Sequence, residues 1–285
     1  MVVPGVSPDP SVIIGSCVDP IPAVRSTKVR FPDSPRVVYQ SNPLVEVVCQ
    51  VRFPRLLRLE TELPVEFQNR VHKEYPTLKE SFSSKLPDEI ARAMGLDPAN
   101  LHQRGFDFLT RDETWKISLA SSALSLSTSR YVRWEEFGAR LEVGLDAIDA
   151  VYDVRTYNRI GLRYRDVIRR SALGLADVAW SELLNPQVLG ELATEDFALS
   201  AKQASRQLLL ALDYPDALVR LAHGLTVDED SSEDCYTFDA DFFKESETER
   251  ADAQKLLNQF HQESGRLFRW CITSKLQTAM GPTPP

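Results

Sequence analysis

Glycine is scarce in this chain, with 12 among 285 residues, and none of the spacings that cradle a phosphate is present. Neither G-x-G-x-x-G nor G-x-x-x-x-G-K-[ST] occurs, which excludes the common nucleotide-binding loops. The four cysteines (Cys17, Cys49, Cys235 and Cys271) form no C-x-x-C pair. A zinc knuckle or thioredoxin-like motif is therefore excluded, and the thiols read as small buried hydrophobes in a reducing compartment. His72, His102, His223 and His261 are scattered without an H-E-x-x-H motif, so each reads as a surface or packing residue. The G-x-S-x-G nucleophile elbow is also missing. No stretch approaches the ~18 apolar residues of a membrane span, and "SVIIGSCV", between prolines, is too short for a signal peptide. These absences predict a soluble, cytoplasmic protein with no cofactor, no metal and no membrane partner.

Basic charge is in deficit: 33 Lys and Arg stand against 41 Asp and Glu, a net charge of -8. Nucleic-acid binders usually carry a basic face, so nucleic acid ranks below another protein or a small ligand as a partner. Hydrophobic residues at 43% and charged residues at 26% are ordinary for a globular chain.

Residues 1–36 hold Pro4, Pro8, Pro10, Pro20, Pro22, Pro32 and Pro35. That density blocks helices and predicts a flexible leader, with order beginning near Val37. "PLVEVVCQVRF" reads as a strand with Val45, Val47, Cys49, Val51 and Phe53 on one face and Glu46 on the other. A helix follows over "LPVEFQNRVHKEYP", then a short one from Pro87 to Met94. "GFDFLT", "TWKISLA" and "ALSLSTS" are the next strands, and Tyr131 to Tyr152 is the clearest helix. Its stripe is Trp134, Phe137, Leu141, Leu145, Ile148 and Tyr152. Trp115, Trp134 and Trp270 occupy apolar positions and read as core.

After a strand over "YNRIGLRYRD" and a helical connector come "SRQLLLALDY", "DALVRLAHGLTV" and "CYTFDADFF", three further strands. The last helix runs from about Glu247 to Thr273. Ser246 and Glu249 have capping-box spacing at its start, and Leu257, Phe260, Ser264, Leu267 and Cys271 line its inner face. The layout predicts an α+β fold: curved antiparallel sheets, each packed on a long amphipathic helix, in two non-identical halves. The divisions are a leader (1–36), a first half (37–170), a connector (171–195), a second half (196–275) and a tail (276–285).

"YNRIGLRYRD" alternates Ile160, Leu162 and Tyr164 with Arg159, Gly161, Arg163 and Arg165. A strand arginine beside apolar neighbours must find carboxylates or carbonyls, since an unpaired buried charge costs several kcal/mol or more. One expectation is a structural network in which Glu46 meets Arg159 or Arg163. The other is an anion or partner patch built from Arg159, Arg163, Arg165 and Arg169. Asp239 and Asp241 share a strand face but show no third carboxylate for a metal, and "DEDSSED" (Asp228 to Asp234) reads as a solvated loop.

In this order, "NPLVEVVCQVRF", "EYP", "LSLSTSRYVRWEEF", "NRIGLRYRDVI", "LALDYP" and "FHQESGRLFRWCIT" resemble a sporadically distributed family of bacterial conserved hypothetical proteins with no assigned activity. The resemblance spans roughly Val37 to Thr273 and does not reach the leader. It implies a bacterial cytoplasmic protein with the patchy inheritance of accessory and defence-linked genes. Taken together, these features predict a non-enzymatic macromolecular binding protein, such as a neutralising or accessory partner in a defence or toxin–antitoxin setting. The alternative is a small-ligand binder or enzyme using a cavity between curved sheet and long helix, with Glu46, Arg163 and Tyr164 among its polar groups.

Overall fold

Nine strands hydrogen-bond into one antiparallel sheet in the computed structural model of this chain, which describes residues 28–84, 102–228 and 231–284. In chain order the elements are β1 (Val38–Tyr39), β2 (Leu44–Arg52), α1 (Arg58–Thr61), α2 (Val65–Val71), β3 (Thr77–Ser84), β4 (His102–Leu109), β5 (Trp115–Ala120), β6 (Ala123–Thr128) and α3 (Trp134–Tyr152). Then follow β7 (Thr156–Tyr157), β8 (Arg159–Arg169), α4 (Trp180–Leu183), α5 (Pro186–Leu189), α6 (Glu195–Ser200), β9 (Arg206–Ala211), β10 (Ala217–Val227) and β11 (Asp234–Lys244). The chain closes with β12 (Thr248–Glu249), α7 (Arg250–Cys271), α8 (Ser274–Ala279) and β13 (Pro282–Thr283).

The sheet order is β3-β4-β5-β6-β2-β8-β11-β10-β9. The β2–β8 ladder therefore joins the strands that precede α3 to those that follow it, and the sheet is continuous. Directly opposed residues share a face. One such row crosses seven strands as Phe108, Ile117, Leu126, Cys49, Leu162, Phe242 and Val219, each 0% exposed. Mixed sheet and helix of this kind is the α+β class that the sequence predicts.

Both long helices pack on that apolar face. In α3 the stripe Trp134, Phe137, Leu141, Leu145 and Ile148 is buried, and Asp153, in left-handed conformation at φ 54, ends the helix. Gly144 lets α3 approach closely, because a Cβ there would already touch Ile117 and Leu124 at 3.5 Å. In α7, Leu257, Phe260, Ser264, Leu267 and Cys271 are buried. Trp134 Nε1 donates to Asn258 Oδ1 at 2.7 Å, and Arg250 reaches Glu142 and Asp146, so the two helices are tied side by side. Among the described residues, no helix is long and apolar enough to cross a membrane.

Some local expectations fail for physical reasons. The capping box does not form: Thr248 and Glu249 are held in β12 opposite β7, Glu249 caps α7 without its side chain, and Ser246 Oγ donates to Asp216 instead. Trp270 is 38% exposed, and Trp180 is buried in its place. Strand β3 has no apolar alternation to announce it, because it is an edge strand carrying Lys79 and Glu80 and paired only to β4. The expected helix from Pro87 to Met94 lies outside the described residues, as does the leader up to residue 27. From Lys28 onward the chain packs on the body: Val29 bridges Leu212 in parallel, and Phe31 is buried. At the far end, β13 pairs with β1.

Phe260 contacts Phe242 across the helix–sheet interface, with ring centroids 6.3 Å apart and neither residue exposed. Replacing it with alanine is expected to lower unfolding free energy by about 3–5 kcal/mol. Urea denaturation followed by far-UV circular dichroism measures this; a loss below about 1 kcal/mol would mean that α7 does not seat on the sheet as described.

Candidate functional site

The arginines of β8 all project from the sheet face opposite α3 and α7, and each finds a carboxylate. Arg159 donates to Asp241 Oδ2 at 2.8 Å and lies 3.5 Å from Glu245. Its guanidinium crosses Gly161, where any Cβ would collide with it, and stacks 5.1 Å from the Phe243 ring centroid. Arg163 grips Asp239 with a two-pronged contact, Nε to Oδ1 at 2.6 Å and Nη2 to Oδ2. Arg169 holds Asp228 through both Nε and Nη2.

Glu46 pairs with Arg165, at 3.7 Å, and not with Arg159 or Arg163. The ladder register explains this correction. Glu46 lies directly opposite Arg165 on β8, whereas Arg163 turns diagonally to Asp239 on β11 and Arg159 reaches across Gly161 to Asp241, which stands opposite Arg163. The expected patch of Arg159, Arg163, Arg165 and Arg169 is thus brought onto one face, with its charge locally neutralised. Asp239 and Asp241 are occupied by these same arginines. Among the described residues no group of three or more His, Cys, Asp or Glu is placed to hold a metal ion.

The other face of β8 carries different chemistry. Tyr164 and Asp166 continue the line of Ile160 and Leu162 and open into a cavity of about 350 Å³ between the sheet and the C-terminal half of α7. Leu221 from β10 and Phe238 and Ala240 from β11 form its floor. His261, Ser264, Leu267, Phe268 and Arg269 line it from α7, and Tyr131 to Arg133, leading into α3, form one side. The remaining wall is the strap Ser34 to Asn42. Asp33 is ion-paired to Arg266 at 2.6 Å, Ser34 Oγ accepts from Arg269 Nε at 2.6 Å, and Arg36 makes a two-pronged pair with Glu135. β1 within the strap is held by β13.

Inside the cavity Tyr164 Oη lies 3.0 Å from His261 Nδ1, and the imidazole stacks on Trp134 with centroids 4.8 Å apart. Burial lowers the pKa of His261 to about 4, with Arg36 adding to the effect, so the ring is neutral at pH 7. Burial raises the hydroxyl of Tyr164 well above the ordinary tyrosine range. Asp166 is the anomaly. It is 7% exposed, and among the described residues its carboxyl has neither a hydrogen-bond donor nor a cation as partner. Burial raises its pKa to about 8, and the Asp239 carboxylate across the sheet adds to the rise.

Of the candidate site residues Glu46, Arg159, Arg163, Tyr164, Arg165 and Arg169, Tyr164 alone lines this cavity; Glu46 and the arginines are on the opposite face. Asp166 and His261 were the missed residues. The signal for Asp166 was the two-residue period, which puts an acid between Tyr164 and Ile168 on an otherwise largely apolar strand face. His261 falls one helical turn after Leu257 and before Ser264, on the edge of the buried stripe. No protein-family model matches the chain, and no curated protein matches it.

Two predictions follow from these electrostatics. Asp166 binds its proton more tightly folded than unfolded, so it makes stability fall as pH rises from about 4 to about 8 and adds no further slope above that. His261, with its pKa lowered, makes stability fall as pH drops from about 6.5 to about 4, so only Asp166 of the two acts above pH 6.5. Asp166→Asn is expected to flatten the decline between pH 6.5 and 8.5 and to gain on the order of a few kcal/mol at the upper end, measured by urea midpoints. On the opposite face, Arg159→Met should cost about 1–3 kcal/mol, because Asp241 is left largely buried. Arg165→Met, breaking a half-exposed pair, should stay within about 0.5 kcal/mol. Equal effects from the two would dissolve the distinction between them.

Proposed function

We propose that this protein binds a small molecule in the cavity between its sheet and α7, and that it does so without catalysis. The observation that carries this reading is Asp166, a buried carboxyl left without a partner at the wall of a mostly apolar space. A buried polar group without a protein partner is costly in a stable fold, and a ligand in the cavity that Asp166 lines would supply the missing contact. The volume of about 350 Å³ falls at the lower end of the range for small-molecule sites.

Binding to a macromolecule is the second reading, as a neutralising or accessory partner in a bacterial defence setting. It is favoured by Leu208 and Leu209, 45% and 58% exposed on β9, a strand at the end of the sheet. Exposed apolar residues on a sheet edge are a pairing hazard unless a partner covers them. The arginine row gives this reading less support, since its charges are already matched.

Native mass spectrometry of the full chain, isolated gently from its host, separates the two. A retained mass on the order of a few hundred daltons, lost in Ala240→Phe with the fold intact, is the expected result. A stoichiometric second protein with no small retained mass would favour the macromolecular reading instead. A bare chain that also fails to bind added small molecules would overturn the cavity assignment.

A further inference from the structure

The cavity also contains a guanidinium without a carboxylate partner among the described residues. Arg269 spends Nε on Ser34 Oγ at 2.6 Å and reaches the Ser34 carbonyl with Nη2 at 3.4 Å, while Nη1 has no acceptor among the described residues. Nor is any carboxylate within ion-pair distance of Arg269 among the described residues, in contrast to Arg36 and Arg266 on the same rim. Gly265 keeps this guanidinium in place: a Cβ there would stand 3.0 Å from Nη1. Asp166 and Arg269 therefore border one cavity as an acid and a cation that do not pair with each other. Tyr39 of the strap lies in the field of both, which act on its hydroxyl with opposite sign.

We infer that the ligand is a small zwitterion with an apolar body, its ammonium seated against Asp166 and its carboxylate against Arg269. This deepens the small-molecule reading and rests on it. A single cation would take the Asp166 site, displacing its proton, and leave the guanidinium unmatched; a single anion would match Arg269 and leave Asp166 a protonated acid without a partner; a zwitterion satisfies both groups. An ammonium gives the carboxylate a charge-assisted donor, and a ligand carboxylate matches the planar fork of the arginine. Leu221, Phe238, Ala240 and Leu267 provide the apolar wall for the rest of the molecule.

The test is calorimetric titration of the full chain with four probes that share one aromatic body: phenylalanine, phenethylamine, 3-phenylpropionate and 2-phenylethanol. Phenylalanine is expected to bind at least about tenfold more tightly than either singly charged probe. Asp166→Asn should reduce phenylalanine to the level of 3-phenylpropionate, and Arg269→Met should reduce it to the level of phenethylamine. Arg269→Lys should recover part of the loss, which guards against a merely structural role. If all four bind alike, the charge assignment is overturned while the small-molecule reading stands. A preference for 3-phenylpropionate over phenylalanine would remove Asp166 from recognition. If none of the four binds at millimolar concentration, the zwitterion inference fails for itself, and the broader reading is then decided by the retained mass alone.

Discussion

The pairing of β2 with β8 is the contact on which the rest of the molecule depends. Cys49 opposite Leu162 continues an apolar row on either side, and that row is the surface on which α3 and α7 rest. Because strand side chains alternate, a slip of one residue would turn every arginine of β8 towards the helices and every apolar side chain outwards. The same register sets Glu46 opposite Arg165 and brings Asp239 and Asp241 of β11 within reach of Arg163 and Arg159. One alignment therefore organises the core and the charge ladder behind it.

The two faces of β8 also separate two kinds of polar chemistry. Charges on the outer face are mutually paired, from the largely buried Arg159–Asp241 pair to the half-exposed Arg165–Glu46 pair, and so ask nothing of a partner. Asp166, on the inner face, is buried and has no hydrogen-bond or ion-pair partner among the described residues. The more conspicuous feature in the sequence, a row of arginines, is the more self-contained one in space. A single aspartate within the inner face of β8 is the residue that points to a ligand.

Much of the framework was legible because its signals are periodic. The stripe from Trp134 to Ile148 and that from Leu257 to Cys271 gave both long helices and their buried faces, and the β-branched runs gave most strands. Edge strand β3 was not legible, since Lys79 and Glu80 need no buried face. Ion-pair partners were only half readable: alternation put the arginines on one face, but which acid meets which arginine depends on strand order and register, and pattern does not encode these. The cavity was hidden for a similar reason. Its walls come from β8, β11, α7, the loop before α3 and the strap, which are far apart along the chain.

The strap has a consequence for how the cavity comes into being. Thr283 Oγ1 donates to the Val38 carbonyl across 245 residues of sequence, and Gln40 takes the Gly281 carbonyl beside it. Contacts of such separation form late, since the intervening chain must already be in place. During synthesis, sheet strands and α3 can assemble while the strap still lacks its counterpart. The pocket therefore has its full wall only once β13 has paired with β1, however early the sheet and α3 assemble.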